Sequence, residues 1–268
     1  MSDYIHGFTA DEQSRLTRMQ ELLNESELAA LELEDERRIL DVGAGLGQMA
    51  RLMARGSDRR VLGIERDPRQ LEEAQRQARE AGEGELIELR EGSATDLPLS
   101  AAERGSFDLA HARFLLEHVP DPQAVVNEMA SAVRPGGRVV LIDDDHDQLR
   151  FHPPLPQVEL AWEIYWKSYE LLDCDPLIGR RLPELLVAAG LKLTRVTTIF
   201  YGECQGGPLF EAIVDNLVGV LSGAEELLDR EGLLSKRRMG EALEAFQAWR
   251  KEPAAVVWYS IPLAEARR

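Results

Sequence analysis

Residues 39–49 read ILDVGAGLGQM, and this stretch constrains the chain more tightly than any other. Ile39–Val42 is a short apolar run broken only by Asp41, the pattern of a strand buried on both faces. Gly43, Gly45 and Gly47 then clear the following turn of side chains, and apolar residues resume at helical spacing at Leu46, Met49, Leu52 and Met53. A strand, a glycine turn and a helix make the first βα unit of a nucleotide-binding sheet, where backbone can approach a ligand closely. The spacing is G-x-G-x-G, not the G-x-G-x-x-G of dinucleotide sites, and Asp41 lies inside the strand.

The second strand, Val61-Leu-Gly-Ile-Glu65, ends in an acid 18 positions after Gly47. A carboxylate at that tip can accept hydrogen bonds from both hydroxyls of a ribose and repels a 2′-phosphate, with Arg66 beside it. Asp67-Pro68 follows as an N-cap and first-turn proline, predicting a helix through Ala81 with Gly82 at its end.

Residues 86–90 form a third strand, followed by Gly92-Ser93-Ala94-Thr95-Asp96-Leu97-Pro98. A fourth, at 107–111, leads into Ala112-Arg113-Phe114-Leu115-Leu116-Glu117-His118-Val119-Pro120-Asp121-Pro122. Asp121-Pro122 caps another helix, and Arg134-Pro135-Gly136-Gly137 turns it into a fifth strand at 138–143. The order D-V-G-A-G-x-G, an acid-ended strand, G-x-A-x-x-L-P, F-D-L, L-E-H-V-P-D-P and R-P-G-G resembles the class I S-adenosylmethionine (SAM)-dependent methyltransferases. Within these it is similar to the group that includes the ubiquinone and menaquinone biosynthesis methyltransferases. The resemblance is strongest over residues 38–145 and extends to about 202; Tyr4-Ile5-His6-Gly7 and Glu12-Gln13 are similar to openings of small-molecule members.

The resemblance implies an α/β fold: a Rossmann-like, seven-stranded, mostly parallel sheet with helices on both faces. It implies SAM as cofactor, met at the glycine turn by Asp41, Gly43, Ala44, Gly45 and Gly47, and at the second strand's end by Glu65 and Arg66. Ser93, Ala94 and Thr95 fall at the adenine. His111, through its backbone, meets the methionine portion, with its ring incidental, and Arg113 completes the set. One departure stands out. The family commonly has Asp after Gly92, accepting from the adenine amino group, and this chain has Ser93, a weaker acceptor than a carboxylate. Asp96, or the backbone of Ala94 and Thr95, is the alternative contact.

A chain of 268 residues can bury one substantial core, or one domain with an appended subdomain. No apolar run approaches the ~20 residues needed to span a bilayer, and MSDYIHGF lacks the basic-then-apolar layout of a secretory signal. Cys174 and Cys204 are the only cysteines, so neither a disulfide framework nor a zinc site is indicated, and a cytoplasmic protein is expected. Net charge is −17, which repels a phosphate backbone and argues against nucleic-acid substrates. Lys236-Arg237-Arg238 reads as a solvated helix face.

Outside the sheet, Thr9-Ala-Asp-Glu12 has capping-box form, with Leu16, Met19 and Leu23 at helical spacing behind it. Residues 156–173 predict a helix with an apolar and aromatic face. After a strand at 192–201, residues 208–250 predict two more helices before a β-rich run at 254–261. The family's sheet ends in a reversed hairpin, and a helical insertion there sits above the strands' carboxyl ends, where open α/β folds bind ligands. The expected organisation is therefore an amino-terminal helical cover (1–36), a cofactor-binding core (37–204) with a helical insertion (150–178), and carboxy-terminal helices with the final strand (205–268). Residues 1–36, 150–178 and 205–250 form the substrate cover.

SAM carries its methyl on a sulfonium, so the protein mainly has to align a nucleophile with the S–CH₃ bond and exclude water. A base is needed only when the nucleophile arrives protonated. Candidates are His111, His118, His146, Asp144 and Asp145, with Tyr4 and His6 at the amino end. His146 is preferred: it follows the fifth strand in Asp143-Asp144-Asp145-His146-Asp147, and imidazole titrates near working pH. His118 reads as structural, and His152 has no special claim. The aspartate run lacks the amide ligand of the magnesium-dependent catechol-type enzymes, so no metal is expected. Tyr165, Trp166, Tyr169, Trp249, Trp258 and Tyr259 are candidates for a pocket wall facing a flat or cationic acceptor.

The leading reading is a methyltransferase acting on O, N or C of a small molecule, with no nucleic-acid or membrane partner. The alternative is a SAM-fold binding or regulatory module without turnover. A protein or nucleic-acid methyltransferase ranks third, since His111-Ala-Arg-Phe114 occupies the place of the N-P-P-Y-like motif of amino-directed enzymes.

Overall fold

The computed structural model describes residues 24–33 and 36–268. The helix expected over residues 9–23, together with Tyr4 and His6, lies outside them. The chain divides into two compact units. The core unit comprises Asn24–Asp144, Leu177–Ile199 and Pro262–Arg268; the described part of the second is Asp145–Pro176 and Phe200–Ile261.

In the core unit, β1 (Ile39–Val42), β2 (Val61–Glu65), β3 (Ile87–Glu91), β4 (Phe107–Arg113) and β5 (Val133–Ile142) pair in parallel in the order β3-β2-β1-β4-β5. The last strand, β8 (Val256–Arg267), runs antiparallel to β5, and β7 (Lys192–Cys204) pairs with β8 beyond it. The result is the seven-stranded mixed sheet β3-β2-β1-β4-β5-β8-β7. The strand at 138–143 begins earlier than the pattern suggests: Val133 already pairs with Phe107, and the Arg134–Gly137 segment is an irregularity before Arg138 pairs with Leu109.

Alternation along these strands sorts the residues onto two faces. Leu40, Val42, Leu62, Ile64, Ala110, Ala112, Val139 and Leu141 share one core with α4 (Pro122–Ala132) and α6 (Leu182–Ala188). The opposite face carries Asp41, His111, Arg113, Arg138 and Glu265, and on it lies α1 (residues 24–31). Arg138 donates to Leu31 O at 2.6 Å and Glu32 O at 3.2 Å, and Arg195 reaches Ala30 O, so two arginines cap the carboxyl end of α1. Cations there also complement the helix dipole. Next to α1 is α2 (Gln48–Ser57), where a side chain at Gly56 would meet Leu28 and Leu33. As the Asp-Pro pairs predict, Asp67 caps α3 (Pro68–Glu80) through Arg69 N at 2.8 Å, and Asp121 caps α4 through Ala124 N at 2.9 Å.

The second unit contains α5 (Pro156–Lys167), continued by a 3-10 turn at Ser168–Leu172, then α7 (Phe210–Arg230) and α8 (Lys236–Trp249). A strand that the sequence pattern did not reveal, β6 (Arg150–His152), pairs antiparallel with residues 256–258 of β8. Phe151 packs edge-on against Phe246 and Trp249, each at 5.5 Å, and Trp249 Nε1 donates to Pro153 O at 2.9 Å. Trp249 is thus core rather than pocket wall. Lys236 and Arg237 are exposed and pair with Glu226 and Glu241. Among the described residues no helix is long and apolar enough to cross a membrane.

Candidate functional site

Three left-handed glycines shape the turn after β1: φ is +73° at Gly43, +52° at Gly45 and +68° at Gly47. At Gly43 a Cβ would also come within 2.9 Å of Leu115 Cδ1. The amides of Gly43 and Ala44 both donate to Ile64 O, at 2.8 and 3.0 Å. Gly47 opens α2 without a side-chain cap, so the first-turn amides of this helix offer donors to an incoming group.

Glu65 ends β2 nearly buried. Its Oε2 accepts from Gly45 N at 3.0 Å, and its Oε1 from Arg66 N at 2.8 Å and Asp67 N at 3.0 Å. Two carboxylate oxygens offer about four acceptor positions, so capacity remains for a ligand hydroxyl. Arg66 contributes its backbone here, while its side chain is exposed. Beyond β3, Ser93 Oγ lies 2.9 Å from Thr95 Oγ1 and accepts from Thr95 N at 3.2 Å, and Ser93 bridges to Asp96 across the half-buried Ala94.

On β4, His111 is the register partner of Asp41, and its ring is bonded to that carboxylate, Nδ1 to Oδ1 at 2.8 Å. Arg113, two residues on, is engaged by α1: its Nη1 pairs with Glu27 and donates to Asn24 Oδ1 at 3.1 Å. Phe114 follows at φ +49°, a strained position for a bulky residue. Asp143 holds the next turn, accepting from Leu115 N at 3.1 Å, Leu116 N at 2.7 Å and Asp144 N at 3.0 Å. Burial, and then the charge of Glu117, push its carboxyl well above the ordinary range despite these donors.

The carboxyl ends of β1–β4 thus bring the expected cofactor residues to one edge of the core unit. Sequence reasoning missed Glu27, Gln48 and Asp143 as parts of this edge. Glu27 meets Arg113 across 86 positions, which no local pattern signals. Gln48 stands directly behind the glycine turn, and its Oε1 is buried without a partner among the described residues, as is Glu27 Oε1.

The second unit holds His146. Its backbone amide donates to Pro176 O at 3.2 Å, and its carbonyl accepts from Trp162 Nε1 at 2.8 Å. The ring lies against Trp162 (5.4 Å between centroids), Tyr165 (5.8 Å) and Tyr169 (5.4 Å), the two phenols being 2.9 Å apart.

The methyltransferase-domain family matches residues 40–141. The chain is 30% identical over 203 residues to O-methyltransferase resE of Aspergillus sclerotiorum, covering 74% of this chain and 72% of that protein. The chain belongs to this methyltransferase family. It is also 34% identical over 138 residues to 27-O-demethylrifamycin SV methyltransferase of Amycolatopsis mediterranei, over 52% of this chain and 50% of the relative. Against that relative, this methyltransferase-family chain spans about half the length. The fold matches a putative methyltransferase of Bacillus halodurans with a TM-score of 0.59 at 18% identity, over 90% of this chain and 97% of the other.

Proposed function

We propose that this chain transfers the methyl group of SAM to an O, N or C nucleophile of a small molecule. The observation that carries the reading is the left-handed glycine turn tied by Gly45 N to Glu65 at the edge where β1 and β2 end. Its residues fit SAM. Gly43, Gly45 and Gly47 leave backbone exposed for close approach, and Gln48 Oε1 and Asp41 Oδ2 are buried acceptors without partners among the described residues. When bound, SAM supplies a methyl on a sulfonium whose departure leaves a neutral thioether. Glu65 accepts from the ribose hydroxyls; Ser93, Ala94 and Thr95 line the base; Arg113 and the backbone of His111 face the methionine portion. The 27-O-demethylrifamycin SV named for the Amycolatopsis relative supports a small-molecule acceptor, and the charge of −17 supports a protein with no nucleic-acid partner. We assign acceptor choice to α5, α7 and α8, and removal of an acceptor proton to His146, which its aromatic neighbours hold in one orientation. With two cysteines in 268 residues, too few for a disulfide framework, the cytoplasm is the compartment that suits this chain.

Calorimetric titration of SAM and its demethylated product, S-adenosylhomocysteine (SAH), into the wild type and Glu65→Ala tests the cofactor. Transfer of labelled methyl to a panel of phenols, amines and quinols tests the acceptor. Binding lost in the variant, with label in at least one class, is the expected result. Wild-type protein that binds neither ligand overturns the reading, and binding without transfer to any class leaves a binding module.

A further inference from the structure

We propose that the free edge of β7 pairs antiparallel with the same strand of a second copy of this chain, about a two-fold axis at Thr198. The inference is independent of the cofactor reading and concerns a different part of the sheet.

The strand is an open edge. β7 pairs with β8 along one side, and no strand covers the other among the described residues. It runs for 13 residues, about twice the usual strand length. An edge of this kind is a template for a further strand, and proteins ordinarily guard it with prolines, outward lysines or short length. Residues 193–203 read LTRVTTIFYGE, with no proline and no lysine. Their one arginine, Arg195, is turned back onto Ala30 O and Glu265. Side chains alternate along the strand. Ile199 and Tyr201 are buried, whereas Val196 is 56% exposed and Phe200 64%. Thr194 and Thr198 are exposed in the same row.

That row is complementary to itself. Thr198 is the midpoint of Lys192–Cys204, so a two-fold axis through it, normal to the sheet, overlaps the two strands along their whole length. The axis keeps each residue on its own face. It sets Thr198 beside its own copy and, twice over, Val196 beside Phe200 of the second copy. Thr–Thr and aromatic–β-branched cross-strand pairs are among the stabilising ones. Charge agrees with this register. Lys192 falls opposite Cys204, Leu193 opposite Glu203 and Arg195 opposite Tyr201. No two like charges meet, in a chain of which 29% is charged, and the lysine at the start of each strand arrives beside the acid at the end of the other. A chain of unrelated sequence has no reason to match the row in this way, and a second copy matches it by symmetry.

Sedimentation equilibrium of the full chain, over about 1–100 μM, reads the association by mass action. The wild type should dimerise. Val196→Lys or Phe200→Glu alone spoils both symmetric Val–Phe pairs and should weaken the dimer by about tenfold or more. Together the two substitutions set opposite charges side by side across the axis and should restore most of the affinity. Within one chain these positions lie four residues apart along a strand, out of reach of each other. Directly opposed antiparallel residues lie about 4.5–5.5 Å apart, within disulfide range. Thr198→Cys, combined with Cys174→Ser and Cys204→Ser, should therefore give a covalent dimer on mild oxidation. Leu233→Cys in the same background, at another exposed apolar residue, should not. Thermal unfolding checks that each variant folds. A wild type that stays monomeric overturns the proposal and leaves the edge to another chain. A dimer that both single substitutions leave intact, a double substitution that restores nothing, or equal cross-linking at positions 198 and 233 overturns it as well.

Discussion

The amide of Gly45 donates to Glu65 Oε2 across 3.0 Å, so the turn after β1 hangs on the carboxylate that ends β2. One group both shapes the loop and faces the proposed ribose. Glu65→Gln keeps one oxygen for an N–H donor but turns an NH₂ toward the others; Glu65→Ala removes every acceptor. SAM affinity should fall by about tenfold in the first and about a hundredfold in the second, as one and then two charge-assisted bonds are lost. Calorimetry reads the difference. Equal losses would assign the whole effect to the charge and none to the link with Gly45.

Substitutions at the glycines should separate backbone strain from crowding. Gly43→Ala puts a Cβ at φ +73° and 2.9 Å from Leu115 Cδ1, whereas Gly47→Ala, at φ +68°, meets nothing closer than Ala74 at 3.5 Å. Both should lose about 1 kcal/mol to the left-handed backbone, and Gly43→Ala about 1–3 kcal/mol more from overpacking. Denaturant unfolding of both variants, and of Gly43→Ala combined with Leu115→Ala, checks the ordering. Relief by the second substitution should be partial, because the backbone term stays.

The parallel part of the sheet was legible because its strands announce themselves locally, whereas the run read at 254–261 stopped short of Leu263–Arg267, the part of β8 that pairs with β5. Ile39–Val42 is apolar on both faces, Asp67-Pro68 and Asp121-Pro122 are caps that the structure forms, and the glycine turn permits little else. The edge residues Asp41, Glu65 and Ser93 follow from strand ends and were readable in the same way. What stayed hidden is long-range. Glu27 seeks Arg113 across 86 residues, Arg138 caps a helix more than 100 residues earlier, and Asp41 finds the ring of His111 across 70. A pairing between distant polar side chains has no periodicity to betray it. The short β6 was missed for a related reason: three residues carry too little pattern, and their strand partner lies at 256–258.

Asp143 gives the fold a pH dependence with a definite sign. Burial, followed by the charge of Glu117, raises its folded carboxyl well above the ordinary value. The native state therefore binds this proton more tightly than the unfolded chain. Its contribution is fully present at acid pH and is lost as pH rises from the ordinary carboxyl value through the folded one. The Tm of Asp143→Asn relative to wild type should rise steadily across that range, and Glu117→Gln should show a smaller rise. Parallel melting curves for wild type and Asp143→Asn from pH 4 to 8 would mean that the three backbone donors of Leu115, Leu116 and Asp144 outweigh burial.

Arg113 is held by Glu27 and Asn24 of α1, with both charged side chains almost entirely buried. Removing one partner strands the other charge, which for buried pairs costs about 3–5 kcal/mol, whereas replacing both with apolar groups is often neutral. Glu27→Leu and Arg113→Leu should each destabilise the fold by roughly that amount, and the double substitution should recover most of it. Denaturant unfolding of the four proteins gives the interaction energy directly. Cofactor binding divides the outcomes further. If Arg113 also meets the methionine carboxylate, the refolded double variant should still bind SAM more weakly than wild type. Full affinity in that variant would confine Arg113 to anchoring α1, and would leave the methionine end to the glycine turn and its neighbours.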